Sequence, residues 1–145
     1  MSAFKIRRMT IEDYDAAVEI WKEGDLPFKP SGRDARERVA KELKQPTSIF
    51  LVAEKGGKVV GVVLGTHDGR KVWGNRMGVH KDYRRMGIAS ALLTELERAA
   101  DEMGFLVCAA LVENDNLASK GMLAKRGYEA HDELTYFVKK KTKDS

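Results

Sequence analysis

Met77-Gly78-Val79-His80-Lys81-Asp82-Tyr83-Arg84-Arg85-Met86-Gly87-Ile88-Ala89-Ser90 is the stretch on which the reading of this 145-residue chain turns. Strand character ends at Val79, a short basic loop follows, and from Gly87 the apolar residues change to a helical period. Ile88, Leu92, Leu96, Ala99 and Met103 fall on one stripe, and Gly104 stops it. A strand, a loop and a helix in that order present free backbone N–H groups at the positive end of the helix. Gly87 lets an anion approach the backbone, and Arg84 and Arg85 add positive charge beside it. A diphosphate suits such a place. A basic helix start whose glycine only eases a turn suits the residues equally well, so both readings stand on local grounds. No Gly-x-x-x-x-Gly-Lys-Ser/Thr occurs and the spaced glycines of the dinucleotide fingerprint are missing.

Upstream of this stretch, Phe4 to Met9 alternates in polarity like a half-buried strand, and Thr10 offers an N-cap. Ile11, Tyr14, Ala17, Val18 and Trp21 then predict a helix to Glu23, stopped by Gly24. Asp25 to Gly32, with two prolines, is a loop. Val39 and Leu43 predict a second helix that ends before Pro46. Ser48 to Glu54, Val59 to Thr66 and Lys71 to Val79 read as a meander, with turns at Lys55-Gly56-Gly57-Lys58 and His67-Asp68-Gly69-Arg70. Downstream, Phe105 to Val112 is expected as a buried strand flanked by helices. Asn116 to Arg126 follows as a short helix stopped by Gly127, and Tyr128 to Val138 as last strand material, broken near His131-Asp132. The order βααβββαβαβ predicts one α/β domain over residues 1–145 with a mixed sheet.

Composition agrees with an ordinary globular domain, at 43% hydrophobic and 33% charged residues. The net charge of +4 invites a nucleic-acid reading, but the tail Lys139 to Ser145 holds four lysines and one aspartate. A frayed lysine tail of that kind argues weakly for any polyanion partner. The single cysteine, Cys108, sits in an apolar run and reads as an inert buried thiol. Met1 to Lys5 has no apolar signal core, and no run is long enough to span a bilayer, so a cytoplasmic protein without a membrane partner is expected. His67, His80 and His131 have no metal-ligand spacing, and no metal is expected.

Arg84-Arg85-Met86-Gly87-Ile88-Ala89 resembles Arg/Gln-x-x-Gly-x-Gly/Ala, the pyrophosphate loop of the GNAT superfamily of N-acetyltransferases. Val79-His80-Lys81-Asp82-Tyr83-Arg84 is similar to that family's strand end and lead-in, with Lys81 where a proline is usual. Asn116, Ser119, Lys125 and Gly127-Tyr128 resemble its Asn-x-x-Ala/Ser…Lys-x-Gly-aromatic helix. The resemblance implies a mostly antiparallel mixed sheet with helices on both faces and with the fourth and fifth strands splayed. It implies acetyl-CoA in the wedge between those strands, with backbone groups of Met77 and Val79, flanking Gly78, along the pantetheine arm. Amides from Arg85 to Ser90 would cradle the pyrophosphate, and Asn116 would face the pantetheine end with Ser119 nearby. On local grounds Asn116 is equally a helix N-cap.

Two departures matter. The position where many members carry a tyrosine general acid is Leu123, and the position where one branch carries a glutamate base is Leu111. Neither role carries over, leaving Glu113 and Tyr83 as weak catalytic candidates. The resemblance places acceptor specificity around the first two helices, so Phe28 and Arg33 are candidates there. Trp73 and Asn75 are expected to alternate with Met77 on one strand face and to line the acceptor side. The expected activity is transfer of acetyl from acetyl-CoA to a primary amine, on a small molecule, a peptide N-terminus or a protein lysine. A non-catalytic CoA- or acyl-CoA-binding module or sensor on the same fold is the alternative, and a homodimer is left open.

Overall fold

The structure, a computed structural model, describes residues 3–24, 26, 28–143 and 145. The expectations that fall on Met1, Ser2, Asp25, Pro27 and Asp144 lie outside the described residues. Five strands are present: β1 (Lys5–Arg8), β2 (Ser48–Lys55), β3 (Lys58–His67), β4 (Val72–Val79) and β5 (Cys108–Ala110). Four α-helices join them: α1 (Tyr14–Glu23), α2 (Arg36–Glu42), α3 (Ile88–Glu102) and α4 (Leu117–Lys125). The sheet order is β1-β2-β3-β4-β5, antiparallel throughout except for the parallel pair β4–β5.

Central strands β2 and β3 are apolar on both faces because each face is covered. Phe50, Val52, Val62 and Leu64 meet Ala17, Ile20 and Trp21 of α1 and Val39 of α2. Ile49, Leu51, Ala53 and Val63 meet Ile88, Leu92, Leu93 and Leu96 of α3. Thus helices lie on both faces of a mixed, mostly antiparallel sheet. Gly65 lets α3 lie close, since a Cβ there would fall 2.6 Å from the carbonyl oxygen of Ile49 and against Leu96. The glycine pair of the β2–β3 turn supplies the two positive φ angles, 58° and 79°, that a tight right-twisted hairpin needs.

Several elements differ from the sequence expectation. The first helix is entered through a 3-10 turn, Ile11–Asp13, in which the Thr10 N–H donates to Asp13 at 2.8 Å. Met103 is the C-cap of α3 and 41% exposed rather than on the buried stripe, because the helix has already ended at Glu102. The apolar run Phe105 to Val112 yields only the three-residue β5, not a buried strand. Leu106, Val107 and Leu111 are exposed, because β5 pairs with β4 alone and is not sandwiched between helices. Tyr128 to Val138 forms no strand among the described residues, and Leu134, Tyr136, Phe137 and Val138 are exposed. A ladder needs an edge to pair with, and three residues of β5 offer a short one. The observed order is therefore βααβββαβα.

Candidate functional site

Parallel pairing of β4 with β5 runs from Val72↔Cys108 to Gly74↔Ala110 and stops there, while β4 continues to Val79. The end of β4 is therefore paired on one side only, which is the splay expected between these strands. His80 donates its N–H to the Val60 carbonyl at 2.8 Å, so strand alternation turns the backbone of Val79 toward the open side. A 3-10 turn, Lys81–Tyr83, follows, capped by His80 Nδ1 accepting from the Asp82 N–H at 3.2 Å.

Beyond the turn the backbone takes two left-handed residues in quick succession, Arg85 at φ 64° and Gly87 at φ 82°. Turns that mix left-handed and right-handed residues are one way a backbone gathers its N–H groups in a nest around an anion. The Arg85 conformation costs on the order of 1 kcal/mol. Gly87 caps α3, whose first backbone bond runs from the Ala91 N–H to the Gly87 carbonyl. Among the described residues no N–H from Arg85 to Ser90 finds an acceptor. A Cβ on Gly87 would meet nothing within 4 Å, so the space above the nest is open. Ile88 is buried in the α3 core and fixes the helix start, while Met86 is exposed and Ala89 and Ser90 are half-buried.

The loop is braced from both sides. Glu23, at the end of α1, accepts from the Lys81 N–H at 3.0 Å and pairs with Arg84 at 3.1 Å. Arg84 also donates to the Val79 carbonyl, so its guanidinium lies back along β4 rather than over Gly87. On the other side, Arg126 at the end of α4 donates to Ser90 Oγ at 2.6 Å and to Glu97 at 2.7 Å, and Tyr128 donates to Glu97 at 2.7 Å. Burial first, and then the Glu97 carboxylate, push the Tyr128 phenol above its ordinary range. Sequence reasoning missed Glu23, Arg126 and Glu97, whose partners are 29 to 61 residues away in the chain.

Asn116 is half-buried and accepts from the Ser119 N–H at 3.2 Å, so it does cap α4. Leu123 packs against the α3 core and Leu111 is exposed; neither brings a titratable group to the wedge. Tyr83 stands edge-on to His80, with Lys58 over its ring, as a packing aromatic does. Glu113 is exposed. Cys108 is half-buried, and burial pushes its thiol up, away from reactive thiolate.

The acceptor candidates need a correction. Val62 pairs with Gly78 and Leu64 with Asn75, so an extra residue is inserted in β4. Arg76, at φ 53°, sits at this bulge. Trp73 and Asn75 therefore face α1 while Met77 and Val79 face α3, and the single shared face does not exist. Asn75 is tied to the Leu64 carbonyl and Thr66, and Trp73 donates to Asp68 at 3.2 Å. The bulge is held from the α1 side. Trp21 donates to the Arg76 carbonyl at 2.8 Å, and buried Asp34 pairs with the Arg76 guanidinium at 3.2 Å. Asp34 also accepts the Lys29 N–H, and Phe28 rests on Trp21. Phe28 thus belongs to the α1–α2 loop packed beside the splay, whereas Arg33 is exposed.

A strand end paired on one side, a left-handed corner with open space at Gly87 and the start of a long helix lie together at this end of the sheet. The family model described as the acetyltransferase (GNAT) family matches residues 14–128. The chain belongs to that family. An acetyltransferase of Pectobacterium atrosepticum is 35% identical over 131 residues, spanning 90% of this chain and 92% of that one. The fold is similar to that of the PaiA N-acetyltransferase of Thermoplasma acidophilum solved with coenzyme A. The TM-score is 0.80 and the identity 20%, over 90% of this chain and 92% of that one. It is also similar to an aminoglycoside N-acetyltransferase solved with a CoA–acetylneamine bisubstrate analogue. There the TM-score is 0.80 and the identity 18%, over 96% and 99% of the two chains. Among the described residues of this GNAT protein no group of three His, Cys, Asp or Glu side chains stands together as a metal site. No helix among them is long and apolar enough to cross a membrane.

Proposed function

We propose that this chain is an acetyl-CoA-dependent N-acetyltransferase that passes an acetyl group to a primary amine by direct attack in a ternary complex. The observation that carries the reading is the nest from Arg85 to Ser90, whose N–H groups have no acceptor among the described residues. The donors present fit a pyrophosphate: main-chain amides, a helix N-terminus and the guanidinium of Arg85, with no carboxylate among residues 83–90. Bound there, the cofactor supplies an acetyl thioester. Val79 would orient the thioester's arm through its N–H, with Met77 and Gly78 forming the wall of the wedge. Asn116 and Ser119 would face the arm from α4.

In this reading the chain catalyses by placement. The amine attacks the carbonyl carbon, the carbon–sulfur bond breaks, and the amine proton leaves to water. A thiol of pKa about 8.5 departs with little help from an acid. Exposing a neutral α-amino group at pH 7 costs about 1 kcal/mol, against about 4.6 kcal/mol for a lysine-like amine. The leucines at 111 and 123 thus favour weakly basic amines over a lysine side chain; the proposed order of acceptors is a small-molecule amine, then a peptide N-terminus, then a protein lysine. The same leucines support the second reading, a CoA-binding module without turnover. Release of free CoA thiol across a panel of amines separates the two. The enzyme reading expects amine-dependent release whose rate rises with pH through the acceptor's pKa. Tight acetyl-CoA binding without release on any amine selects the module.

A further inference from the structure

α1 and the loop that follows it grip β4 at two points, one on each side of Met77. The first is Arg76, held at φ 53°, a left-handed conformation uncommon for a residue with a side chain. Buried Asp34 accepts from the Arg76 guanidinium through Nη2 at 3.2 Å and Nε at 3.3 Å, and Trp21 donates to the Arg76 carbonyl at 2.8 Å. The second point is Gly78. A Cβ there would fall 2.9 Å from Leu26 Cδ1 and 2.9 Å from Ile20 Cγ2, so these two side chains fill the space that the glycine leaves. Asp34 is in turn fixed within its own loop. The carboxylate oxygen that meets Arg76 also accepts from the Lys29 N–H at 2.6 Å. The Asp34 N–H donates to the Lys29 carbonyl at 3.0 Å, and the Asp34 carbonyl accepts from the Tyr14 hydroxyl at 2.6 Å.

A buried ion pair is weak evidence of stability on its own, because apolar residues in its place often do as well. This pair does something apolar residues would not. It ties a strained backbone position to a loop, and a strained residue keeps its conformation only while its surroundings hold it there. The grip is also separate from the bracing of the nest. Glu23 and Arg126 hold the stretch from Lys81 to Ser90, whereas Asp34, Trp21 and Leu26 hold residues 76 and 78. We propose that Asp34 and Arg76 are positioning residues: through their ion pair the loop between α1 and α2 sets the direction in which Met77 to Val79 present the thioester arm of acetyl-CoA. The assignment rests on the acetyl-CoA reading above. Without the pair, residue 76 relaxes from its left-handed backbone and the end of β4 turns with it. A misplacement of about 1 Å can cost about a hundredfold in rate, while the nest still holds the pyrophosphate.

The test compares the full chain as wild type, Asp34→Asn, Arg76→Gln, Arg76→Lys and the double variant Asp34→Asn with Arg76→Gln, each checked for folding by circular dichroism. Three quantities are read: kcat with a small amine, Kd for acetyl-CoA, and the protection from amide exchange that acetyl-CoA confers. Asp34→Asn and Arg76→Gln should each lower kcat by about tenfold or more, with Kd within about threefold of wild type. Each should lose protection at residues 77–79 and keep it at residues 85–90. Arg76→Lys retains the charge and should recover part of the loss. The double variant should be no worse than either single, because the two side chains act as one unit. Unchanged kcat and unchanged protection at residues 77–79 in the singles overturn the proposal, as do losses that add in the double variant. A wild type that binds acetyl-CoA and releases no CoA overturns the enzyme reading instead, and protection at residues 77–79 then decides the positioning role alone. A wild type that binds no acetyl-CoA overturns both.

Discussion

The same kinds of residue meet opposite fates in two parts of this molecule. In β2 and β3, residues such as Ile49, Phe50, Val62 and Val63 are at most 2% exposed between two layers of helix. From β5 onward, Leu106 and Phe137 are 96% and 89% exposed. These apolar side chains are alike in kind; what differs is the number of neighbours the topology supplies. A strand in mid-sheet has ladders on both sides and a helix on each face, while β5 has one ladder of three residue pairs. An apolar run declares that it needs cover and says nothing about where the cover comes from. The candidate site lies on the seam between these regions, where β4 leaves the sheet's ordered half and loses its second partner.

The largest effect that sharpens this contrast comes from large-to-small substitutions on either side of the seam. Trp21→Ala removes a fully buried ring and its bond to the Arg76 carbonyl, and should cost about 3–5 kcal/mol in denaturant unfolding. Phe137→Ala, measured on dilute protein, should move stability by no more than about 0.5 kcal/mol. Equal losses would erase the distinction. Next in size is Asp34→Ala, expected to cost about 1–3 kcal/mol by leaving the Lys29 N–H and the bulge guanidinium without their acceptor. The same variant should loosen the α1–α2 loop, read as faster amide exchange from residue 28 to residue 34.

Smaller effects follow from pH, with the two regions responding at opposite ends. Backbone N–H groups of Lys71 and Arg70, then the Trp73 indole, hold the Asp68 carboxyl at about 2 against an ordinary 3.8. A depressed acid stabilises the fold above its unfolded value and loses that contribution as pH falls from about 4 toward 2. Asp68→Asn should therefore flatten the acid limb of the stability profile. Tyr128 behaves in the reverse sense. Its phenol is raised from 10.0, so its contribution is present below pH 10 and is lost as pH rises beyond that. Tyr128→Phe should flatten the alkaline limb and leave the acid limb alone, checked by thermal melts across pH.

Much of the ordered half was legible because its signals are local. The Gly56-Gly57 turn, the α3 stripe and the Gly87 corner each follow from a few adjacent residues, and the structure has them where the spacing puts them. The Arg76 bulge was not legible, since strict alternation from Trp73 to Met77 is what an unbroken strand would show. The device that holds it, Asp34 and Trp21, acts from 42 and 55 residues away. The strand expected from Tyr128 to Val138 has the right composition but lacks a paired edge, a property of the sheet rather than of the segment. Leu111 and Leu123 mark the missing base and acid in the sequence itself, because each replaces a titratable side chain with an apolar one. Arg126, which reaches from α4 to Ser90, carries no sequence signal at all.

The central claim is that the nest at Gly87 holds the pyrophosphate of acetyl-CoA, and a thermal-shift titration tests it most directly. Wild type, Gly87→Glu and Gly87→Asn would be melted with and without acetyl-CoA. Asparagine tolerates the left-handed backbone without adding charge, so it separates a folding defect from loss of the site. At about 100 times Kd, binding adds about 2.7 kcal/mol, a rise of about 5–10 °C for a chain of this size. The account predicts that rise for wild type, a smaller one for Gly87→Asn and none for Gly87→Glu. An equal rise in wild type and folded Gly87→Glu, or none in wild type, would contradict it.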